Sequence, residues 1–423
     1  MDESAVFCGV EKKEWVDMKI IGTNIISSLG FTTEENFNAV KQGMSGVKHY
    51  EAGVFDLPES FMAALIDKER LNAEFVKISP ETNYTNLEKA AILSVFTANT
   101  EAQIDLSNKK TIFILSTTKG NIDLMNNEQL KIKNAMNNQN NCSLFTVHCS
   151  LYLWHTAELI AEFFNNPNTP IVVSNACISG AAAQVVAMRA LQSGDYDDAV
   201  VVGVDFLSKF IISGFQSFKA LSPELCRPFD KERCGLNLGE AAGTMIFSKD
   251  TKHKTASSLI NGAIRNDATH ISAPSRTGEG SFRALNYVLN KSQSLKSQIS
   301  FINAHGTATP YNDAAEMNAI VRAGLENVPV NSLKPFFGHT LGAAGVLESI
   351  ISIQALNEGI ILPTLNFVEN EVITVNDEPY SINVSKEIQQ TNKQYFIKMM
   401  SGFGGVNAVL LFEKNSHEFT NEH

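Results

Sequence analysis

No two of the six cysteines (Cys8, Cys142, Cys149, Cys177, Cys226, Cys234) form a C-x-x-C pair, and none lies beyond Cys234. That spacing excludes a disulfide framework and gives no zinc site. No apolar run reaches the roughly 18–20 residues of a membrane span. No basic N-terminal region leads into an apolar stretch and a cleavage site, so a cytoplasmic enzyme without a membrane partner is expected. Positive charge is also short: 34 Lys and Arg stand against 45 Asp and Glu, a formal net charge of -11. Nucleic acid is therefore not the expected partner. An acidic carrier protein stays admissible, because a local basic patch can sit on an acidic protein.

What is present is a globular chain. Hydrophobic residues make up 44% and charged residues 19% of 423 residues, enough for a large core and, by length alone, two or three domains. Residues 1–17 are polar and mixed, and the folded part is expected to begin at Met18, the leader being an extension or an alternative start. From there, β-branched runs alternate with alanine-containing segments. Strands are expected at 18–22, 111–116, 170–173, 198–205, 244–248, 257–264, 299–304, 397–400 and 409–412. Helices are expected at 33–42 with Thr33 as N-cap, and at 84–97, 153–164, 181–191, 280–289, 314–323 and 340–356. Residues 24–30 read as a loop, 54–85 as irregular, and the asparagine-rich 121–141 as a surface insertion. This alternation predicts an α/β fold with helices on both sheet faces. Two series of similar length meet near residue 250, which suits a duplicated architecture.

Three places carry chemistry. In Ser174-Asn175-Ala176-Cys177-Ile178-Ser179-Gly180 a cysteine sits between a strand and a helix. The unpaired N–H groups and partial positive charge of a helix N-terminus favour thiolate over thiol, which would make Cys177 a nucleophile. It also reads as a small buried residue. Two histidines stand in glycine-flanked loops, Ala304-His305-Gly306-Thr307-Ala308-Thr309-Pro310 and Lys334-Pro335-Phe336-Phe337-Gly338-His339-Thr340. Loops at strand ends are where α/β sheets place chemistry. The third place, Ser401-Gly402-Phe403-Gly404-Gly405, is either an oxyanion-binding loop or a plain tight turn.

Together these motifs resemble the elongating β-ketoacyl-acyl-carrier-protein synthases, condensing enzymes of the thiolase fold. Arg227-Pro228-Phe229-Asp230, Gly239-Glu240-Ala241-Ala242-Gly243, Gly338-His339-Thr340-Leu341-Gly342-Ala343-Ala344-Gly345 and Gly402-Phe403-Gly404-Gly405-Val406-Asn407 belong to the same resemblance, which spans roughly residues 18–414. It implies a duplicated α/β/α/β/α layered fold. The N-terminal half, 18–250, would carry the nucleophilic cysteine and the C-terminal half, 251–414, both histidines, with 1–17 and 415–423 outside the core. It implies a decarboxylative Claisen condensation of a cysteine-bound acyl chain with malonyl carrier, of the synthase II type, in fatty acid or specialised polyene or polyketide-type biosynthesis. Cys177, His305, His339 and Lys334 would be catalytic, Lys334 either orienting a histidine or forming a structural ion pair. The N–H groups of Cys177 and Phe403 would form the oxyanion hole. Thr307, Thr309, Phe403, Phe215 and His270 would contact substrate, and Glu316 and Glu348 would order the site. The resemblance implies no metal and no cofactor beyond the phosphopantetheine that arrives on the acyl carrier protein. It further implies a dimer, of two copies or of this chain with a paralogue. The other reading is a non-catalytic chain-length partner in a synthase heterodimer.

The chain departs from the family at Cys234, where an aspartate is common, and at Val406, where a threonine is usual. Lys119, in Thr117-Thr118-Lys119-Gly120, falls on a turn that the resemblance places beside the acyl tunnel. An ammonium there disfavours a long alkyl chain. A shorter, unsaturated or aryl-capped chain is the resulting expectation.

Overall fold

The computed structural model describes residues 18–80, 83–124, 151–250, 252, 253, 255–290 and 293–415. The expectations for 1–17, for most of the asparagine-rich segment and for the C-terminal tail fall outside these residues. The main sheet has ten strands: β1 (Met18–Ser27), β2 (Thr111–Ser116), β3 (Ile171–Val173), β4 (Asp198–Asp205), β5 (Ala241–Ser248), β6 (Ser257–Asn266), β7 (Ile299–Asn303), β8 (Val330–Asn331), β9 (Tyr395–Gly402) and β10 (Val406–Lys414). Their spatial order is β8-β7-β9-β10-β6-β1-β5-β4-β2-β3. Read outward from the centre, each set of five runs first, fifth, fourth, second, third. In both sets the second strand is parallel to the third and fourth, and the remaining pairs are antiparallel. The sets meet only where Met18 and Lys19 pair with Leu259 and Ser258. The same order and the same directions, twice, show the duplication in a chain with no visible sequence repeat.

Strand alternation sorts the core into layers. Along β2, Ile112 and Ile114 face one core while Phe113 and Leu115 face another; along β4, Ala199 and Val201 oppose Val200, Val202 and Val204. The inner core lies between the two half-sheets and holds α3 (Ser179–Ser193) and α6 (Ala344–Glu358). Outside the first half lie α1 (Asn86–Ala102) and α2 (Leu153–Phe163); outside the second lie α4 (Glu279–Asn290) and α5 (Pro310–Arg322). The result is five layers, α/β/α/β/α. Where α3 and α6 cross, a Cβ on Gly180 would come within 2.8 Å of Gly342 O, and one on Gly345 within 2.3 Å of Ala181 N. Only glycine permits that approach.

Several elements differ from the sequence expectation. The first strand runs on to Ser27, absorbing most of the expected loop at 24–30. The helix Thr33–Lys41 is capped by Thr32, whose hydroxyl accepts from Glu35 N, not by Thr33. The stretch 54–85 is not irregular: it holds the strand Phe61–Ala64 and the helix Lys68–Val76, capped by Asp67. Helix α1 starts at a capping box in which Thr85 and Glu88 exchange bonds, and runs five residues past the expected end. Among the described residues no helix is long and apolar enough to cross a membrane.

Candidate active site

The turn after β3 brings Ala176 into the left-handed region, at φ 47. Ser179 holds this strained turn: its hydroxyl donates to Ala176 O at 2.6 Å and accepts from Asn175 N at 2.8 Å. Cys177 is thereby presented two residues ahead of α3. His305 follows β7, and Glu316 on α5 accepts from the amides of His305 and Gly306, each at 2.7 Å. Asp313 accepts from Thr307 N and Ala308 N, fixing the rest of that loop. His339 follows Gly338, whose φ of 67 and close approach to Leu238 O leave no room for a side chain. Its backbone pairs with Asn237 and Gly239.

These three loops converge. Cys177 Sγ and one nitrogen of each imidazole all lie within 4.8 Å of one another. The rings of His305 and His339 meet edge to face, centroids 5.1 Å apart at 81°. All three residues are buried, yet all line one cavity of about 540 Å³. Thr307, Thr309, Phe215 and Phe403 line it too, the two threonine hydroxyls 2.8 Å apart. Phe403 packs against Phe215 and Phe218 at centroid distances of 6.1 and 5.5 Å. Gly402 lies on the Cys177 amide, since a Cβ there would sit 3.3 Å from that nitrogen. The proposed oxyanion donors thus come from neighbouring backbone. The loop carrying Phe403 is pinned by Gly404 N to Ile271 O and by Asp267 N to Gly405 O.

Three expectations need correction. Burial pushes the Cys177 thiol up to about 11, and the pull of Lys334 and Lys119 does not offset it. The resting residue is a thiol, not the thiolate expected from the helix N-terminus. Lys334 does not reach the cavity. It is fully buried, with Nζ 2.8 Å from Glu348 Oε1, which is the structural ion pair named as one of its two expected roles and not a contact with substrate. His270 does not line the cavity either: it is exposed, its Nδ1 accepting from Ser272 N, and its neighbours Asp267 and Ile271 line the wall instead.

The electrostatics follow from burial. Both imidazoles are held well below 6.5, first by desolvation and then by the charges of Lys334 and Lys398. They are neutral. Burial alone would raise Glu348, but the two lysines hold it below its ordinary value. Burial raises Glu316 to about 7. A cysteine and two histidines could hold a zinc ion. However, His339 Nδ1 accepts the Leu341 amide, so Nε2 carries the proton and is no metal ligand. Two buried ammoniums behind the site oppose a cation further.

Two residues were not anticipated. Asp205, at the end of β4, accepts from Thr117 Oγ1, Thr118 N and Gly342 N, joining the turn after β2 to the loop that follows His339. Lys398 shares Glu348 with Lys334. A charge inside an otherwise apolar strand was the one signal for it. Cys234 also lines the cavity, 3.3 Å from Ser222 Oγ.

Comparisons with known proteins bear on the family and the fold. A family model described as "Beta-ketoacyl synthase, N-terminal domain" matches residues 17–253, and its C-terminal counterpart matches 257–368. A 3-oxoacyl-[acyl-carrier-protein] synthase 2 from Vibrio harveyi is 27% identical over 93% of this chain and 98% of its own length. One from Rhizobium meliloti is 34% identical over 60% of this chain and 62% of its own. Among solved structures, a ketosynthase in complex with its chain length factor from Xenorhabdus doucetiae has a TM-score of 0.80 at 22% identity, covering 94% of this chain and 98% of that one. A Beta-ketoacyl synthase from Burkholderia phymatum gives 0.80 at 23%, covering 95% and 100%. At such identities the structural likeness concerns the fold alone.

Proposed function

The chain belongs to the β-ketoacyl synthase family, and from that premise we propose that it joins a Cys177-bound acyl chain to malonyl carrier, giving β-ketoacyl carrier and carbon dioxide. The observation that supports this most directly is the meeting of one thiol and two neutral imidazoles in one cavity.

In the first half-reaction Cys177 Sγ attacks the carrier thioester. The new S–C bond replaces the bond to the carrier sulfur, which leaves as a thiol. Because Cys177 rests protonated, its proton must move during attack, and an adjacent neutral imidazole is the base at hand. The N–H groups of Cys177 and Phe403 take the tetrahedral oxyanion. Malonyl carrier then enters past Thr307 and Thr309, whose hydroxyls suit the amides of a phosphopantetheine arm. The bond to the carboxylate breaks, carbon dioxide leaves, and its electrons form an enolate. His339 Nε2–H and His305 stabilise that charge. The enolate carbon attacks the acyl-cysteine carbonyl, the S–C bond breaks, and Cys177 recovers its proton. Neither step calls for a metal or a redox cofactor. The proposed partner is an acyl carrier protein, and the proposed dimer is of two copies of this chain or of this chain with a paralogue.

The test measures decarboxylation of radiolabelled malonyl carrier and the mass of Cys177 after exposure to acyl carrier. Wild type should release carbon dioxide and gain the acyl mass, and Cys177→Ala should not gain it. If wild type is inert on both counts while a separate subunit condenses, the chain is a chain-length partner instead.

A further inference from the structure

Lys398 stands in β9 among Ile397, Met399 and Met400, and its side chain is fully buried. A buried ammonium costs several kcal/mol unless it is paired. Its partners therefore indicate its role. Nζ donates to Glu348 Oε2 and to Ala304 O at 3.4 Å. The other oxygen of Glu348 already accepts Lys334. One carboxylate thus serves two ammoniums where one would satisfy it. Ala304 immediately precedes His305, and Lys334 lies five residues before His339. Lys398 adds a further link between the two histidine-bearing segments, beside Ser332 Oγ donating to Gly306 O and the edge-to-face meeting of the two rings.

We propose that Lys398 is a positioning residue for the condensation, tying the end of the His305 strand to the Lys334–Glu348 pair and setting a second buried positive charge behind both imidazoles. This rests on the reading of function given above. The groups that face its ammonium are Glu348 on α6, Lys334 ahead of His339, Glu316 on α5 and the two imidazoles. The electrostatic direction agrees: burial lowers Lys398 to about 8, and its charge depresses both histidines. Removing that charge therefore raises both histidines, and the acid limb of activity moves to higher pH.

Two variants separate charge from hydrogen bonding. Lys398→Met removes both; Lys398→Gln keeps an N–H donor but no charge. Each is followed by a histidine NMR titration of the carrier-free protein and by kcat and KM for condensation against pH. In both variants the His305 and His339 midpoints should rise by about half a pH unit or more. The kcat should fall by up to about threefold for each histidine on the acid limb and at most about twofold near pH 8, with KM unchanged. Unmoved midpoints in folded Lys398→Gln, or a loss of kcat equal at every pH, would overturn the proposal. If Lys398→Met does not fold, Lys398→Gln decides alone. The titration needs no acyl substrate. A wild type that fails to condense would thus sink the functional reading without being mistaken for failure of this one.

Discussion

The amide of Leu341 donates to Nδ1 of His339 across 3.3 Å, and this bond decides which ring nitrogen is free for chemistry. An Nδ1 that accepts cannot carry the proton, so Nε2 does. That Nε2–H is buried and has no protein partner among the described residues. Burial and two lysine charges keep the ring neutral. A neutral donor facing the cavity is what a developing enolate needs.

The matching prediction compares two replacements. His339→Ala removes the donor and should cost about 100-fold or more in malonyl decarboxylation. His339→Asn keeps an N–H of similar reach and should retain measurably more. Equal activity of the two variants would mean that the donated proton is not what His339 supplies.

The state of Cys177 gives a pH prediction. Its thiol is raised to about 11, so the charged form is the disfavoured one. Alkylation by iodoacetamide, which consumes thiolate, should rise about tenfold per pH unit between 7 and 9. A plateau near pH 7 would falsify the neutral resting thiol. The same shift bears on stability. The folded state holds this proton more tightly than the unfolded chain, so the contribution is full below the unfolded value and is lost as pH rises toward 11.

How much of this was legible in the sequence depends on the reach of each cause. The Cys177 turn, the two histidine loops and the glycines around Phe403 announce themselves within a few residues, and the structure brings all of them to one cavity. The strands at 111–116 and 198–205 were legible because uninterrupted apolar runs need both faces covered. The ionisation of Cys177 was misread because a helix N-terminus is a local feature, whereas burial depends on segments more than a hundred residues away. Lys334 and Lys398 meet Glu348 across 14 and 50 residues; an ion pair at Lys334 was expected, but nothing local marks Glu348 as the partner the two lysines share. The helix Lys68–Val76 was missed because only Leu71 and Phe75 along it are buried, too few to stand out as a helical stripe.

The crossing of α3 and α6 supplies a stability prediction. A side chain at Gly345 would strike the backbone at Ala181 N, not the flexible end of a neighbour. Gly345→Val should lower stability by about 1–3 kcal/mol, read from a denaturant midpoint. Because α3 starts just after Cys177, condensation should fall further than the loss of folded protein accounts for. A variant with unchanged midpoint and rate would show that the two helices can separate freely.

Lys119 tests which acyl chain the enzyme accepts. It is exposed, on a turn held by Thr118 N to Asp205 and Gly120 N to Thr117 Oγ1. These bonds fix the backbone of the turn, and the Lys119 charge is felt at Cys177. An acyl chain leaving the cysteine toward Lys119 must either displace an ammonium from water or stop short of it, and an ammonium stripped of water is costly. Wild type should therefore prefer shorter, unsaturated or aryl-capped acyl carriers. Lys119→Ile removes the charge and adds apolar surface. It should shift kcat/KM toward long saturated chains by about tenfold, the effect of some 1.4 kcal/mol. The measurement is a competition among acyl carriers of graded length, read by mass on Cys177. A wild type that already prefers long saturated chains would show that Lys119 turns away from the acyl path.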